Sequence, residues 1–334
     1  MDKPVVSIVG ADSILGRELK DLIFLKKLQW SVRPFSSGDA VAGIPSKEKD
    51  EALEILTALD KDTLAASAIV FLAGTPDSSR KAWRLQSKLK KKPLLIDLSH
   101  TLEDEPQARL LDTAPDLYDP DLVYVAVQPA AAVLAAFLRT IHAQSPIEKA
   151  VVTVFEPASE RGERGVNELQ QQTIGLLSFR NVPKDLFDSQ LTFTMLASYG
   201  AESPLSLADI ELRIDRHLAS LLSREVDIPM PSLRLIQAPV FHGYSFSVWV
   251  QFAKDTPVKA LESALERSGA DVRGADLEPP NNVGVAGQSG YAAGAIEPDR
   301  NHPKAFWFWL AADNARVAAD TGLAIAAKRI EPAS

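Results

Sequence analysis

The residues that could do chemistry sit at four places in this chain, and each place lacks something its chemistry needs. At the first, a β-branched run, Val123–Val127, meets Pro129 and then an alanine- and leucine-rich segment, Ala131–His142. A strand running into a helix N-terminus is where a protein lowers a thiol pKa and holds an oxyanion, because unpaired N–H groups and the helix dipole favour negative charge there. The turn offers Gln128, Pro129, Ala130, Ala131 and Ala132, and none is a nucleophile. The chain has no cysteine at all, which also excludes disulfides and thiolate–metal sites.

At the second place, His242 and Tyr244 stand two residues apart. In an extended segment both would point to one face and could pair as base and acid. A surface histidine beside a packed tyrosine is the plainer reading and outweighs it. At the third, Ser159 lies near Glu156 and Glu160, but no histidine is adjacent and no Gly-x-Ser-x-Gly elbow is present. Glu156, Glu160 and Glu163 therefore read as a solvated loop. His100, His142, His217 and His302 are scattered without metal-ligand spacing, so no metal is expected.

The fourth place is Gly10–Gly16, between an apolar run, Val5–Val9, and a helical pattern reaching about Leu28. Backbone N–H groups at such a turn can hold a pyrophosphate with help from the helix dipole. The outer glycines, Gly10 and Gly16, are present, but Ser13 between them brings a Cβ to where phosphates would approach. The candidate dinucleotide contacts are Gly10, Asp12, Ser13, Ile14, Gly16, Ser36, Ser37 and Gly74. The Ser36-Ser37-Gly38-Asp39 loop would read the ribose; it carries an acid and no Arg or Lys, which serves a 2′-phosphate poorly. The expected cofactor is NAD or NADP, held weakly. A tight turn with no ligand fits the same residues almost as well.

The elements that must position these groups follow from periodicity. Val5–Val9, Ser31–Phe35, Ala68–Ala73, Leu94–Asp97 and Val123–Val127 read as buried parallel strands. Between them lie helical patterns, including a charged amphipathic one over Lys49–Leu59 and one over Ser78–Lys90 with a basic outer face. Glu103–Pro120 reads as an acidic, proline-rich loop. This alternation with short connections predicts a doubly wound parallel sheet.

After Ile147 the character changes. Strands are expected over Lys149–Phe155, Leu233–Val240, Ser245–Phe252 and Phe306–Ala311. Helices are expected over Val166–Phe179, with Leu169, Thr173, Leu176 and Leu177 on one side, and over Ile210–Leu222 and Pro257–Arg267. Glu156–Gly165 and Asn282–Gly294 read as loops. The pattern implies an antiparallel or mixed sheet with helices on one face. A final helix, Asn314–Lys328, could pack back on the first domain.

Length and charge set outer bounds. The chain's 334 residues suffice for two domains with substantial cores. A net charge of −8 argues against a general nucleic-acid binder, since neutralising phosphates needs a basic face. No secretory signal and no long uncharged apolar run is visible, so a cytoplasmic protein with no membrane partner is expected.

Six segments together are specific: VVSIVGADSILGRE from Val5, IDLSHTLE from Ile96, VYVAVQPAAAV from Val123, SERGERGVNELQQQT from Ser159, RLIQAPVFHGYSFSV from Arg234 and WLAADNARVAA from Trp309. In content, order and spacing they resemble the aspartate-semialdehyde dehydrogenase family. The resemblance implies a fold: a Rossmann-like doubly wound parallel sheet plus an α+β dimerisation domain with a mixed or antiparallel sheet. It places the first over residues 1–130 and 313–334 and the second over 131–312, with a homodimer through the latter. It also implies a reaction of amino-acid biosynthesis, the reversible reductive dephosphorylation of aspartyl phosphate. There hydride passes through a cysteine thioester, a histidine serves as acid/base, and arginines hold the anionic substrate.

The functional positions depart from that pattern one after another. The family's nucleophile falls on Ala131, its acid/base on Tyr244, its substrate arginine on Gln237 and its phosphate-binding arginine on Glu103. Ser13 stands for the central glycine of the nucleotide turn. Gly10, Gly16, Pro129, Ser159, Gly162, Gly165, Pro239, Gly243, Asp313 and Asn314 are retained, and they are scaffold. The sequence thus looks like a cysteine-less relative with no catalytic residue left at these positions, a pseudoenzyme serving as a binding or regulatory protein. The alternative is an NAD(P)-dependent oxidoreductase that reduces a semialdehyde or other small carbonyl without a covalent intermediate, with Tyr244 or His242 as acid.

Overall fold

A computed structural model describes residues 3–37, 59–224 and 227–330. The chain divides into two compact units, residues 1–127 with 318–334, and residues 128–317. The Gly38-Asp39 part of the ribose loop, and all but Leu59 of the helix expected over Lys49–Leu59, lie outside the described residues.

The first unit runs β1 (Val5–Val9), α1 (Ile14–Leu25), β2 (Ser31–Phe35), α2 (Lys61–Ala65), β3 (Ile69–Leu72), α3 (Pro76–Gln86), β4 (Leu94–Asp97), β5 (Ala108–Leu111) and β6 (Val123–Ala126). Its six strands are all parallel in the order β2-β1-β3-β4-β6-β5. β3 and β4 are buried along their whole length, as strands covered on both faces must be. β2 carries Pro34 and lies at the sheet edge, where a missing N–H costs least. α1 buries Leu19, Leu22 and Ile23 on one face and stops at Leu25, short of the expected Leu28, because Lys27 takes a left-handed φ of 53°. β5 corrects the expectation of a loop over Glu103–Pro120. Four residues, half-buried and lying among acids and prolines, carry no alternation to read, but they pair in register with β6 from Ala108↔Val123 to Leu111↔Ala126.

The second unit continues with α4 (Pro129–Gln144), β7 (Ile147–Glu156), a 3-10 turn (Ala158–Arg161), α5 (Gly162–Leu177), α6 (Leu207–Leu222), β8 (Ser232–Gln237), β9 (Tyr244–Phe252), α7 (Val258–Arg267), β10 (Asp271–Arg273), β11 (Ala292–Pro298) and β12 (Ala305–Ala312). Its mixed sheet has the order β10-β11-β12-β9-β7-β8, with β7/β8 and β10/β11 parallel and the rest antiparallel. Phe246, Val248, Val250 and Phe252 share the fully buried face of β9. On β7 the same period of two buries Ala150, Val152, Val154 and Glu156.

Three expectations change here. Glu156 ends a strand instead of opening a solvated loop, and α5 begins at Gly162. On α5, Leu177 is 70% exposed. The buried face belongs to Glu168, Leu169 and Gln172, because Glu168 and Gln172 clamp the following loop. The Glu168 carboxylate accepts from Leu186 and Phe187 N–H, and the Gln172 Oε1 accepts from Leu191 and Thr192 N–H.

α8 (Asn314–Ile330) closes the chain. Its residues from 318 onward belong to the first unit, where Ala319, Leu323, Ile325 and Ala326 join the core around Ile8, Phe71 and Ile96. Gly322 lets α8 lie against Leu98 and Phe71; a Cβ there would come within 2.9 Å of a Leu98 methyl carbon.

Candidate functional site

In the first unit the chain order reverses between β1 and β3, and a doubly wound sheet holds its ligands at such a switch point, beyond the strand C-termini. Gly10 follows β1 and Gly74 follows β3. Their backbones touch: a Cβ on Gly10 would lie 2.2 Å from the Gly74 Cα, and one on Gly16 would lie 2.0 Å from the Gly10 carbonyl oxygen. The turn needs these glycines for its own packing, with or without a nucleotide.

Ser13 is the N-cap of α1. Its Oγ accepts from Gly16 N–H at 2.9 Å and donates to the Ala73 carbonyl at 2.7 Å. A side-chain oxygen thus occupies an N–H at the helix start where a phosphate oxygen would otherwise be received. The Asp12 carboxylate accepts from Ser37 N–H at 2.9 Å, from Ser37 Oγ at 3.1 Å and from Ser36 Oγ at 3.3 Å. The donors that would read a ribose are spent on an acid of the same turn. Ile14 is the first residue of α1. Glu103, also in this unit, follows a loop organised by the buried Asp97 carboxylate, which accepts from Ser99 N–H, Ser99 Oγ and Leu102 N–H.

In the second unit, the turn before α4 and the start of β9 meet. Pro129 occupies the first helical position, where a missing N–H costs nothing. Gln128 caps the helix: its Oε1 accepts from Ala131 N–H at 3.1 Å, its Nε2 donates to the Tyr244 hydroxyl at 2.6 Å, and its backbone N–H donates to His217 Nδ1 at 2.9 Å. Ala131 and Tyr244 are both 0% exposed. Tyr244 is aimed inward by Gly243, whose φ of +83° L side chains rarely adopt and whose N–H donates to Asn314 Oδ1. That left-handed residue removes the shared-face alternative for His242 and Tyr244 and leaves the preferred reading, a surface histidine beside a packed tyrosine. The segment is not extended, and His242 is exposed while Tyr244 is fully buried.

Around Tyr244 lie residues whose roles the sequence reading did not assign. The Tyr244 hydroxyl donates to Glu156 Oε1 at 3.4 Å, and Arg161 Nη2 donates to the same oxygen at 2.9 Å. Gln237 directs its Nε2 to the Glu156 backbone carbonyl at 2.8 Å and accepts from the Tyr199 hydroxyl at 2.7 Å. Asn314 donates to Glu160 at 2.8 Å and pairs with Ser159, tying the 3-10 turn in place. Burial pushes the Glu156 carboxyl up to about 7, against the opposing pull of Arg161. Burial would lower Arg161, but the charge of Glu156 beside it holds the guanidinium above its usual value. Burial and the neighbouring carboxylates raise Tyr199 and Tyr244, so both hydroxyls stay neutral at physiological pH.

The structure thus brings together three of the four substituted family positions that the sequence singled out, Ala131, Tyr244 and Gln237, with Gln128 among them. It places a methyl group at Ala131, amides at Gln128 and Gln237 and neutral phenols at Tyr199 and Tyr244 in one region with the buried Glu156–Arg161 pair. The signal that could have found Glu156 is the period of two on β7, which carries Val152 and Val154 on to Glu156. Arg161 and Tyr199 are fixed by tertiary contacts alone. Among the described residues no group of three or more His, Asp or Glu side chains is placed to hold a metal, and no helix is long and apolar enough to cross a membrane.

Comparisons with known proteins agree with this architecture. Residues 138–317 match the family described as semialdehyde dehydrogenase, dimerisation domain. A USG-1 protein homolog of Pseudomonas aeruginosa is 32% identical over 185 residues, which is 55% of this chain and 53% of that protein. The chain thus spans about half the length of that relative. An aspartate-semialdehyde dehydrogenase of Rickettsia bellii is 24% identical over 93% of both chains. Among solved structures, a probable aspartate-semialdehyde dehydrogenase from Pseudomonas aeruginosa superposes with a TM-score of 0.83 at 26% identity, covering 98% of this chain and 99% of that one. With more than half of its length matched by the family and its two-sheet architecture shared with solved members, the chain belongs to the aspartate-semialdehyde dehydrogenase family.

Proposed function

We propose that this chain is a catalytically silent member of the family, a homodimer that acts as a binding or regulatory protein. One observation carries the reading. The family's nucleophile position is Ala131, a fully buried methyl group at the start of α4, in a chain without cysteine. Thioester chemistry has no atom on which to begin. The neighbouring family positions support the reading, since Tyr244 and Gln237 direct their polar atoms to Gln128, Glu156 and Tyr199. We assign residues 131–312 to dimerisation, and residues 1–130 with 313–334 to a Rossmann-like domain that holds NAD or NADP weakly. A structure from Candida albicans described as containing NADP shares this fold with a TM-score of 0.65. The residues here fit such a group poorly, because Ser13 caps Gly16 N–H and Asp12 consumes the Ser36 and Ser37 donors.

Direct carbonyl reduction is the weaker alternative. Its proton donor would be Tyr244, whose hydroxyl is buried, already bonded and raised in pKa, or His242, which is exposed on the far side of Gly243. The test is a thermal-shift screen of the purified protein against NAD, NADP and small carboxylates, run beside an assay for NADPH formation from aspartate semialdehyde and phosphate. A ligand that raises Tm without turnover supports a binding protein, since binding to the native state stabilises by mass action. Turnover above a blank refutes catalytic silence.

A further inference from the structure

We propose that the Glu156 carboxyl is a proton-binding site working at neutral pH, and that its proton sets the strength of the polar lock joining β7, β9 and the Gln128 turn.

The geometry of the cluster argues for it. Glu156 ends β7 with 0% exposure, and water cannot solvate its charge. Polar groups reach it from several elements. The 3-10 turn brings Arg161 and Glu160, β9 brings Tyr244, β8 brings Gln237, and the loop before α6 brings Tyr199. Gln128, one bond further out, is held in turn by His217 of α6. A charged pair where β8 meets α6, Arg234 with Glu211, lies where β8 pairs with Thr153, on the opposite face of β7 from Glu156.

The charges do not balance when all are ionised. Two carboxyls, Glu156 and Glu160, face one guanidinium. Arg161 reaches only Oε1 of Glu156, and Oε2 is buried without a protein partner. An ionised carboxylate with one oxygen unpaired in such a place is costly, and one bound proton removes the excess charge. The upward shift of Glu156 to about 7 agrees with that balance. Glu160 is half-exposed and its Oε1 accepts from Asn314, whereas Glu156 is fully buried.

The direction of the linkage follows. A carboxyl whose folded pKa lies above its unfolded value of about 4.3 contributes stability that is fully present below pH ~4.3 and is lost as pH rises through ~7. Wild-type protein should therefore lose stability between about pH 4.3 and 7 relative to Glu156→Gln, whose amide cannot ionise.

The experiment is NMR of the intact protein carrying 13C at the glutamate side-chain carboxyls, followed from pH 4 to 8.5. One carbon, that of Glu156, is expected to titrate with a midpoint near 7. Glu156→Gln should remove that one signal, and over the same window its Tm should fall by roughly 5 °C less than that of wild type. The proposal is overturned if no glutamate carbon of the wild type titrates above pH 6, or if the one that does persists in Glu156→Gln. The wild-type titration decides the matter even if the variant does not fold.

Discussion

The Gln128 side chain donates to the Tyr244 hydroxyl across 2.6 Å, and both groups are buried. These residues stand in the turn and at the strand end where the family pattern carries its nucleophile loop and its acid/base. Their bond ties α4 to β9 within the second unit. Tyr244→Phe would leave the Gln128 Nε2 buried with no acceptor, at a cost of about 1–3 kcal/mol. Urea unfolding of the variant measures it; a loss under ~0.5 kcal/mol would mean that Gln128 finds another acceptor.

A larger loss is expected at Gln172. Its side chain receives Leu191 and Thr192 N–H and donates to the Pro183 and Ser189 carbonyls, holding the loop between α5 and α6. Gln172→Ala leaves buried backbone groups unpaired and should cost about 2–4 kcal/mol. Hydrogen exchange should show the loss of protection concentrated at residues 183–192.

How far the sequence went is clearest from residues that behaved differently. β4 and β9 were readable because a continuous apolar run and a strict period of two leave little choice of structure. β5 was not, since its pairing depends on β6 and its four residues carry no pattern. Glu156 was assigned to the solvent because acids usually are. Only the pleat of β7, continued one residue further, shows that it faces inward. For His242 and Tyr244 the plainer reading, a surface histidine beside a packed tyrosine, matches the structure; the shared-face pair needs an extended backbone, which the left-handed Gly243 between them breaks. Ala131, Tyr244 and Gln237 were located by family spacing. That they share one hydrogen-bonded region with Arg161 and Tyr199 is a tertiary fact with no local signature.

The glycine turn separates fold from ligand. A Cβ at Gly16 would come 2.0 Å from the Gly10 carbonyl oxygen, so Gly16→Ala should destabilise the protein by about 1–3 kcal/mol or more with no nucleotide present. An unchanged Tm without nucleotide would show that the turn relaxes and that its glycines serve a ligand.

Nucleotide affinity should be low, and lower for NADP than for NAD. Ser13 covers Gly16 N–H, and the Asp12 carboxylate beside Ser36 and Ser37 repels added phosphate charge. Titration calorimetry checks this; tight, NADP-selective binding would contradict it.

Assembly should be dimeric. On the face of the second sheet away from the β9 core row, Val151, Trp249 and Trp307 stand side by side across three strands, and Val151 and Trp307 are 47% and 45% exposed. Such a row calls for cover. Light scattering should give twice the chain mass at micromolar concentration, and a monomer there would sink the idea.

Restoring one missing part should not restore the family reaction. That reaction needs a thiolate to attack the aldehyde, so that hydride can leave from the thiohemiacetal. Ala131→Cys supplies a thiol at a helix N-terminus, which favours the thiolate, but in a position of 0% exposure, which opposes it. The group beside it would still be Tyr244, whose hydroxyl is held neutral and already bonds to Gln128 and Glu156. Gln237 would still offer an amide where an anionic substrate needs a guanidinium. Parts of one catalytic unit are strongly non-additive, so a single restored part gains little. Combining Ala131→Cys with Tyr244→His and Gln237→Arg has the better prospect, although Glu156 and Tyr199 must then find new partners. The assay is NADPH formation from semialdehyde and phosphate on wild type, the single variant and the triple variant. Wild type and the single variant should match the blank; turnover by the single variant would show that Tyr244 or Glu156 can already serve as the base.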